Sequence, residues 1–535
     1  MSLLFLLAAG AAVAAQPTSP ARLSDTVRVL ASDRFEGRAP GTPGEALTVD
    51  YLIARLKALG LEPGAADGGW TQTVPVVRTQ LGNGAMAVRG PGGRAMPLEQ
   101  GTDAYVATVR SVDRVEIANA PLVFVGYGVT APERGWDDFK GVDLHGKVAI
   151  FLVNDPDFGA APGDDAAGRF GGRLMTYYGR WTYKFEEAAR RGAVGALIVH
   201  NAVGAGYGWS TVIAPRGESY DLAGAGDRVA LQGWLSADAA RRLFADAGLD
   251  LATLTKRARS MAFRPVELAG RTFSAQFAVR HEALETRNVL AKITGRTRPG
   301  EVVMYGAHWD AYGRAPDGAI RRGANDDGLG VAGLLEIARA FEAGPRPDRT
   351  VAFGFWTGEE RGLLGSEFYA EHPAFAPART VADVTLDILQ AGGASRDVLL
   401  VGAGQDDLEG DLAVAARAQG RTVTPETLPE RGLFYRADHF SLAKRGVPTL
   451  LFMAISGAPD LVVGGRTAGQ AWLDGYMACY HQACDQWQTD WPLAGAAQDV
   501  DLAYAVGHGL AFSSRWPRWS ATSEFRAARE QSQRP

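Results

Sequence analysis

The chain has 535 residues, of which 46% are hydrophobic and 21% are charged, a composition typical of a globular protein with two or three domains. The net charge of -5 shows no basic excess and argues against nucleic acid as a partner. With two cysteines, Cys479 and Cys484, the sequence predicts neither a disulfide scaffold nor a zinc site built from thiolates.

An apolar run over residues 3–15 has the length of a signal peptide and ends in small residues that suit cleavage after Ala14 or Ala15. No Lys or Arg precedes the run, which departs from the usual signal-peptide pattern. The run is too short to span a bilayer, and no later stretch reaches that length. We therefore expect residues 1–15 to be a signal peptide and the protein to be exported, periplasmic or secreted, without a membrane span.

Residues 16–114 begin with a loop rich in Pro and Gly, followed by a helix with an apolar face and by strand-like runs at 72–77 and 86–88. They predict the N-terminal part of a larger α/β domain. Residues 115–262 differ, since apolar runs at 122–128 and 148–153 are joined by Gly-rich turns and no cluster of metal ligands occurs. This region resembles the protease-associated domain, a β-rich module inserted into secreted peptidases.

Residues 263–514 alternate strands with amphipathic helices, which predicts an α/β fold with a mixed, largely parallel sheet flanked by helices. The candidate strands are residues 302–307, 351–356, 384–388, 398–401 and 449–453. Residues 515–535 are polar and charged, and we expect them to form a loosely held C-terminal tail.

Potential metal ligands follow these strands, at the edge where open α/β sheets place their sites. Glu359 and Glu360 are adjacent at the end of one strand; alone, such a pair indicates only a solvated turn. The other candidates are His308, Asp326, Asp387 and His481. Nitrogen and carboxylate donors without thiolates suit zinc, and also cobalt or manganese. There are enough donors for two metals if one carboxylate bridges them.

The segments 308–310, 323–328, 357–366 and 480–485 together resemble those of the co-catalytic di-zinc aminopeptidase family. That family includes secreted bacterial leucyl aminopeptidases, vacuolar aminopeptidase Y and glutamate carboxypeptidases, and a protease-associated insert is common in it. The resemblance covers roughly residues 285–510 and the segment 35–44, and it implies a zinc-exopeptidase fold with two zinc ions per chain.

The resemblance implies a role for each ligand. Asp326 bridges the two metals and is followed by a cis peptide bond. The residues implied as metal ligands are His308 and Asp387 on one ion and Glu360 and His481 on the other, both sharing Asp326. Glu359 is implied as the general base. Tyr480 matches a tyrosine that stabilises the oxyanion in some members, although a packed aromatic is the alternative.

Several assignments stay open at this stage. Asp387 lies in a segment that departs from the usual family pattern, and Asp383 competes with it from the wrong end of the strand. His439 is a candidate for substrate contact. Cys479 and Cys484 flank the His481 region and suit a short disulfide in an oxidising compartment.

The sequence thus predicts an exported di-zinc aminopeptidase that acts on peptides. A dipeptidase or a glutamate-carboxypeptidase-like enzyme with the same metals is the alternative, with Arg431 and Arg436 as candidates to hold a substrate carboxylate. A glutaminyl cyclase with one zinc and a non-catalytic binding protein are further alternatives, disfavoured by the full ligand set. The sequence does not predict the oligomeric state or the preferred terminal residue.

Overall fold

A computed structural model describes residues 17–534 of the chain, so the predicted signal peptide lies outside the described residues. The strands are β1 (Glu62–Pro63), β2 (Thr71–Arg89), β3 (Ala95–Leu98), β4 (Ala104–Ala107), β5 (Arg114–Phe124), β6 (Thr130–Ala131), β7 (Trp136–Asp137), β8 (Val148–Leu152), β9 (Gly195–Val199), β10 (Glu218–Leu222), β11 (Leu231–Leu235), β12 (Val266–Ile293), β13 (Arg298–His308), β14 (Gly313–Arg314), β15 (Ile320–Arg321), β16 (Arg349–Trp356), β17 (Thr380–Leu386), β18 (Asp397–Leu400), β19 (Thr422–Pro425) and β20 (Thr449–Phe452).

Helices lie between and around these strands. They are α1 (Pro20–Leu30), α2 (Pro43–Leu59), α3 (Trp181–Arg190), α4 (Ala202–Ala205), α5 (Trp209–Ile213), α6 (Ala237–Asp246), α7 (Leu251–Arg257), α8 (Gly330–Ala343), α9 (Leu364–Glu371), α10 (Leu408–Ala418), α11 (His439–Ala443), α12 (Gly465–Cys479), α13 (Ala494–Phe512) and α14 (Arg526–Ser532). Every helix within residues 17–534 is too short or too polar to cross a lipid bilayer.

One sheet runs through the molecule in the order β19-β18-β20-β17-β13-β16-β12-β5-β8-β9-β11-β4. β12 joins its two parts: the end of this strand pairs with β16, while its beginning pairs with β5. We call β13, β16–β20 and the end of β12 the major half, and β2–β5, β8–β11 and the beginning of β12 the minor half. β13, β16, β17 and β20 are parallel, so the mixed, largely parallel sheet is confirmed.

Each half has its own hydrophobic core. The core of the major half combines α1, α2, α8 and α13 with the parallel strands, and its members include Leu23, Leu52 and Val500. The core of the minor half draws residues from Leu81 to Val279, beyond both ends of the predicted insert at 115–262. The hydrophobic contacts therefore extend the minor half into β2–β4 and β12, and the predicted domain boundaries stay a prediction.

The C-terminal segment is packed, which corrects the expectation of a loose tail. Trp519 and Phe525 are buried in an apolar cluster with residues of the major half. Arg529 donates hydrogen bonds to the carbonyl oxygens of Pro377 and Thr380. The expectation was wrong because two buried aromatic side chains and one buried guanidinium outweigh a composition that is otherwise polar.

Candidate metal centre

The parallel strands bring the predicted donors to one edge of the sheet. His308 is the last residue of β13, and Asp387 directly follows β17. Glu359 and Glu360 begin a short 3-10 turn, Glu359–Arg361, just after β16. Because the carboxyl ends of parallel strands meet at the same edge, residues far apart in sequence become neighbours.

The donors form two groups that share one residue. His308, Asp326 and Asp387 make one group, and Asp326, Glu360 and His481 make the other, with the ligand atoms of each group within 4.8 Å of one another. The Nε2 atom of His308 lies 3.2 Å from Oδ1 of Asp326, whereas Nε2 of His481 lies 3.2 Å from Oδ2. The two oxygens of Asp326 thus face different histidines, as a carboxylate between two cations does.

The loop that carries Asp326 is held from several sides. The Asp326–Asp327 peptide bond is cis, as the resemblance implies. Asp485 accepts hydrogen bonds from the backbone N–H groups of Asn325 and Asp326, at 3.0 and 3.1 Å. Asp327 belongs to neither donor group; it accepts hydrogen bonds from the N–H groups of Gly330 and His308. Asp485 and Asp327 therefore position the loop.

Arg38, which lies in the segment 35–44 but was not predicted as a site residue, is fully buried beneath this loop. Its guanidinium donates to the carbonyl oxygens of Trp309 and Gly323 at 2.7 and 2.8 Å, and also to those of Leu30 and Arg322. Arg38 thus fastens the N-terminal segment to the chain on both sides of the site. Nothing in the local sequence distinguishes it from the other arginines of the chain.

Glu359 lies beside both histidine-containing groups without belonging to either. Its Oε2 atom is 3.9 Å from Nε2 of His308. Its backbone N–H donates to Oδ1 of Asp310 at 3.1 Å, and the carbonyl oxygen of Asp310 lies 3.1 Å from Nδ1 of His308. Asp310 therefore fixes both the His308 ring and the start of the Glu359 turn.

The site concentrates negative charge away from water. Burial, together with the neighbouring Asp326, raises the pKa of Asp387 to about 7 and that of Glu360 well above its usual range. Burial also raises the pKa of Glu359 strongly. Burial opposes ionisation of Asp326 as well, but hydrogen bonds from His308 and His481 lower its pKa below the usual value. A nearby cation stabilises the ionised form of such buried carboxylates, so added positive charge would stabilise the site.

The chemistry of the donor residues alone fits a bound metal ion. The buried Oδ1 atom of Asp387 has no hydrogen-bond partner and lies 3.9 Å from His308 Nε2, so a lone pair is left over for a cation. Imidazole nitrogen and carboxylate oxygen without thiolate suit zinc. Asp326, Glu360 and His481 also line an opening to the surface, together with Tyr312, Arg321 and Gln482.

His481 is positioned by an aromatic pair and a disulfide. Cys479 and Cys484 form the disulfide that closes the loop around it, with Cα atoms 5.2 Å apart. The Tyr480 ring packs 3.6 Å from the His481 ring, centre to centre. The hydroxyl oxygen of Tyr312 lies 3.1 Å from Nδ1 of His481, which leaves Nε2 to face Asp326 and Glu360. Tyr312 was missed because no motif or spacing rule points to it.

The structure keeps other candidates away from the donor groups. Asp383 is buried within β17, four residues before Asp387, and accepts a hydrogen bond from Thr385. His439 is fully buried against Phe434, its ring nitrogens have no hydrogen-bond partner within the described residues, and it belongs to neither group. Arg431 packs against Gly206 in the minor half.

Part of the chain, including the site, matches a family of peptidases. Residues 288–505 match the model of Peptidase family M28. This segment of the chain is thus similar to that family, and the predicted resemblance is confirmed at the level of a family match.

Three known proteins illustrate the similarity. Over 390 residues the chain is 25% identical to a Mycobacterium tuberculosis protein described as probable lipoprotein aminopeptidase LpqL, covering 73% of this chain and 60% of that one. It is 37% identical over 127 residues to a glutamate carboxypeptidase 2 homolog of Caenorhabditis briggsae, covering 22% of this chain and 15% of the homolog. The chain thus spans at most about 60% of these relatives.

The third comparison concerns the fold. An aminopeptidase from Aneurinibacillus sp. strain AM-1 matches with a TM-score of 0.52 and 20% identity, over 94% of this chain and 96% of that one. At this identity the likeness bears on the fold alone. The match extends across both halves of the sheet.

Tyr312→Phe tests the positioning of His481. Removing the hydroxyl leaves Nδ1 of His481 without this partner, and we expect zinc affinity to fall by about tenfold or more. Competition of the purified protein with a chelator of known affinity measures the change. Tyr504→Phe, at a half-exposed position on α13, is the control. Equal affinities of the two variants would show that Tyr312 merely packs.

Proposed function

We propose that this protein is an exported aminopeptidase that binds two zinc ions and removes residues from the N-termini of peptides. The observation that carries the proposal is the sharing of Asp326 between two complete donor groups. His308 and Asp387 would hold one ion, Glu360 and His481 the other, and Asp326 both. Bound zinc lowers the pKa of the attacking water and polarises the scissile carbonyl.

Glu359 is the proposed general base. It lies beside His308 without belonging to either donor group, and burial raises its pKa well above the usual range, which favours acceptance of a proton. It takes a proton from the attacking water and returns it to the amine that leaves. The two adjacent residues thereby have different roles: Glu359 accepts a proton, and Glu360 would hold a metal ion.

Tyr480 is the proposed donor to the oxyanion of the tetrahedral intermediate. It is partly buried beside His481, and desolvation raises the pKa of its hydroxyl well above the usual value, so the proton needed for donation is retained. Arg436 lies near enough to Tyr480 and Glu359 to act on both electrostatically.

The names of the relatives support an exopeptidase and leave two kinds of enzyme to distinguish, an aminopeptidase and a carboxypeptidase. The LpqL relative is described as an aminopeptidase, and the Caenorhabditis briggsae relative as a glutamate carboxypeptidase homolog. We favour the aminopeptidase because that alignment covers 73% of this chain, against 22% for the other. The proposal also includes residues 115–262 as a protease-associated insert and export with cleavage near Ala14 or Ala15.

The zinc content of the protein tests whether Asp326 is a ligand shared by two ions. We expect wild-type protein, loaded with zinc and dialysed, to hold about two ions per chain by elemental analysis. His481→Ala, which affects one donor group, should retain about one ion, whereas Asp326→Ala, which affects both, should lose most of the metal. His281→Ala, on the surface, is the control. A single ion in the wild type would instead favour the cyclase alternative.

The variant Glu359→Gln tests whether Glu359 acts as the general base. Because Glu359 is not among the donors, we expect zinc content to be retained while kcat falls by at least about 10²–10⁴-fold. Steady-state hydrolysis of an unblocked peptide measures the loss. Glu342→Gln, exposed on α8, should behave as the wild type. Substantial residual activity of the Glu359 variant would contradict the assigned mechanism.

Peptides with free or acetylated N-termini distinguish an aminopeptidase from a carboxypeptidase. An aminopeptidase requires the free amine, so acetylation should abolish cleavage of the first peptide bond while leaving the rest of the peptide unchanged. Product analysis by mass spectrometry checks this. Cleavage that survives acetylation would rule out the aminopeptidase and favour the carboxypeptidase branch.

A further inference from the structure

Arg361 directly follows the proposed metal ligand Glu360 and is the last residue of the 3-10 turn after β16. Its guanidinium carbon lies over two aromatic rings, 5.0 Å from the ring centre of Tyr220 and 5.0 Å from that of Tyr312. Within residues 17–534 its side chain makes no ion pair and no hydrogen bond. The two rings are therefore the partners of this half-buried cation.

Tyr220, on β10 of the minor half, is itself held in place. Its ring packs in an apolar cluster that joins Leu222 of the minor half to Leu364 of α9. Its hydroxyl group donates a hydrogen bond to Oε1 of Glu218 at 3.0 Å. The ring is thus a fixed surface of the minor half, and Arg361 lies against it.

Tyr312, the second partner, contacts a proposed metal ligand. Its hydroxyl oxygen lies 3.1 Å from Nδ1 of His481, and its ring lies 4.6 Å from the His481 ring, centre to centre. Arg321 also lies over the Tyr312 ring, at 5.6 Å, but it belongs to the small hairpin of β14 and β15 that begins beside Tyr312. Arg361 differs from Arg321 because it also contacts the minor half.

The physical basis of this arrangement is the attraction between a cation and an aromatic face. The attraction increases where water is partly excluded, and the planar guanidinium group stacks well on rings. A Tyr312 ring that is held in this way has less freedom to turn away from His481. Nε2 of His481 then stays directed at Asp326 and Glu360, 3.2 Å from an oxygen of each.

We propose that Arg361 is a positioning residue through which the minor half supports one of the two metal-binding groups. Tyr220 holds Arg361, Arg361 holds Tyr312, and Tyr312 orients His481. The inference rests on the proposed function and adds the dependence of its metal centre on the minor half. Zinc affinity should depend on Arg361 at the donor group that contains His481, and not at the group that contains His308.

Zinc affinity measures this support directly. Arg361→Met removes the charge but keeps a long side chain, and we expect one of the two zinc ions to bind about 3–10-fold more weakly. Arg361→Lys keeps a cation and should restore part of the affinity. Competition of the zinc-loaded protein with a chelator of known affinity gives both dissociation constants. Lys57→Met, which removes a cation from the face of Trp70, is the matched control and should leave both unchanged.

Two further backgrounds locate the effect of Arg361. His481→Ala removes a ligand from the supported group, so Arg361→Met should have no additional effect on the ion that remains. Asp387→Ala removes a ligand from the other group, so Arg361→Met should weaken binding of the remaining ion by the same factor as in the otherwise unchanged protein.

Variants of Tyr220 test the contribution of the minor half. Tyr220→Ala removes the ring that holds Arg361 and should weaken the same zinc ion. Because both residues act in one series, adding Tyr220→Ala to Arg361→Met should change the affinity little further. Tyr220→Phe keeps the ring and should bind zinc almost as the wild type does. The melting temperature of each zinc-free variant reports its folding, and the two positions are tested separately in case one variant does not fold.

Three results would overturn the positioning role and leave the proposed function standing. They are an unchanged zinc affinity in Arg361→Met, an equal effect of this substitution in both backgrounds, and fully additive effects of Arg361→Met and Tyr220→Ala. A wild-type protein that binds fewer than two zinc ions would instead overturn the proposed function, and this inference with it.

Discussion

The structure depends on holding several carboxylates together out of contact with water. Asp326, Glu360 and Asp387 converge at the end of the parallel strands, where burial disfavours their charges. Protein groups supply part of the compensation through His308 and His481, but Asp387 retains an oxygen without a hydrogen-bond partner. A site of this kind stabilises added cations, which is why the arrangement indicates metal binding before any relative is considered.

The same constraint explains why distant segments meet here. A cluster of like charges cannot hold its own geometry, so neighbouring groups must hold it. Arg38 ties the N-terminal segment to the carbonyl groups around the site, and Asp485 accepts from the backbone of the Asp326 loop. Tyr312 and the disulfide restrain the His481 loop. The donors thus lie on rigid supports although several of them stand in loops.

The donor residues could be predicted from the sequence because they follow recognisable strands and fall into known motifs. The roles of Arg38 and Tyr312 could not, since each acts through contacts that only the tertiary structure creates. The length of β12 was also beyond prediction: its 28 residues include polar stretches, and pairing with β2 and β5 rather than composition extends it. For the C-terminal segment, composition was misleading because a few buried side chains determine its packing.

The minor half is held too firmly to act as an independent module. β12 runs through both halves, and Glu524 of the C-terminal segment accepts hydrogen bonds from Tyr435 of the major half and from the backbone of Tyr177 in the minor half. These contacts of Glu524 involve no residue of the two donor groups. The contacts through which Glu524 joins the two halves and those that arrange the donors are therefore separate, so that one set can change while the other stays the same.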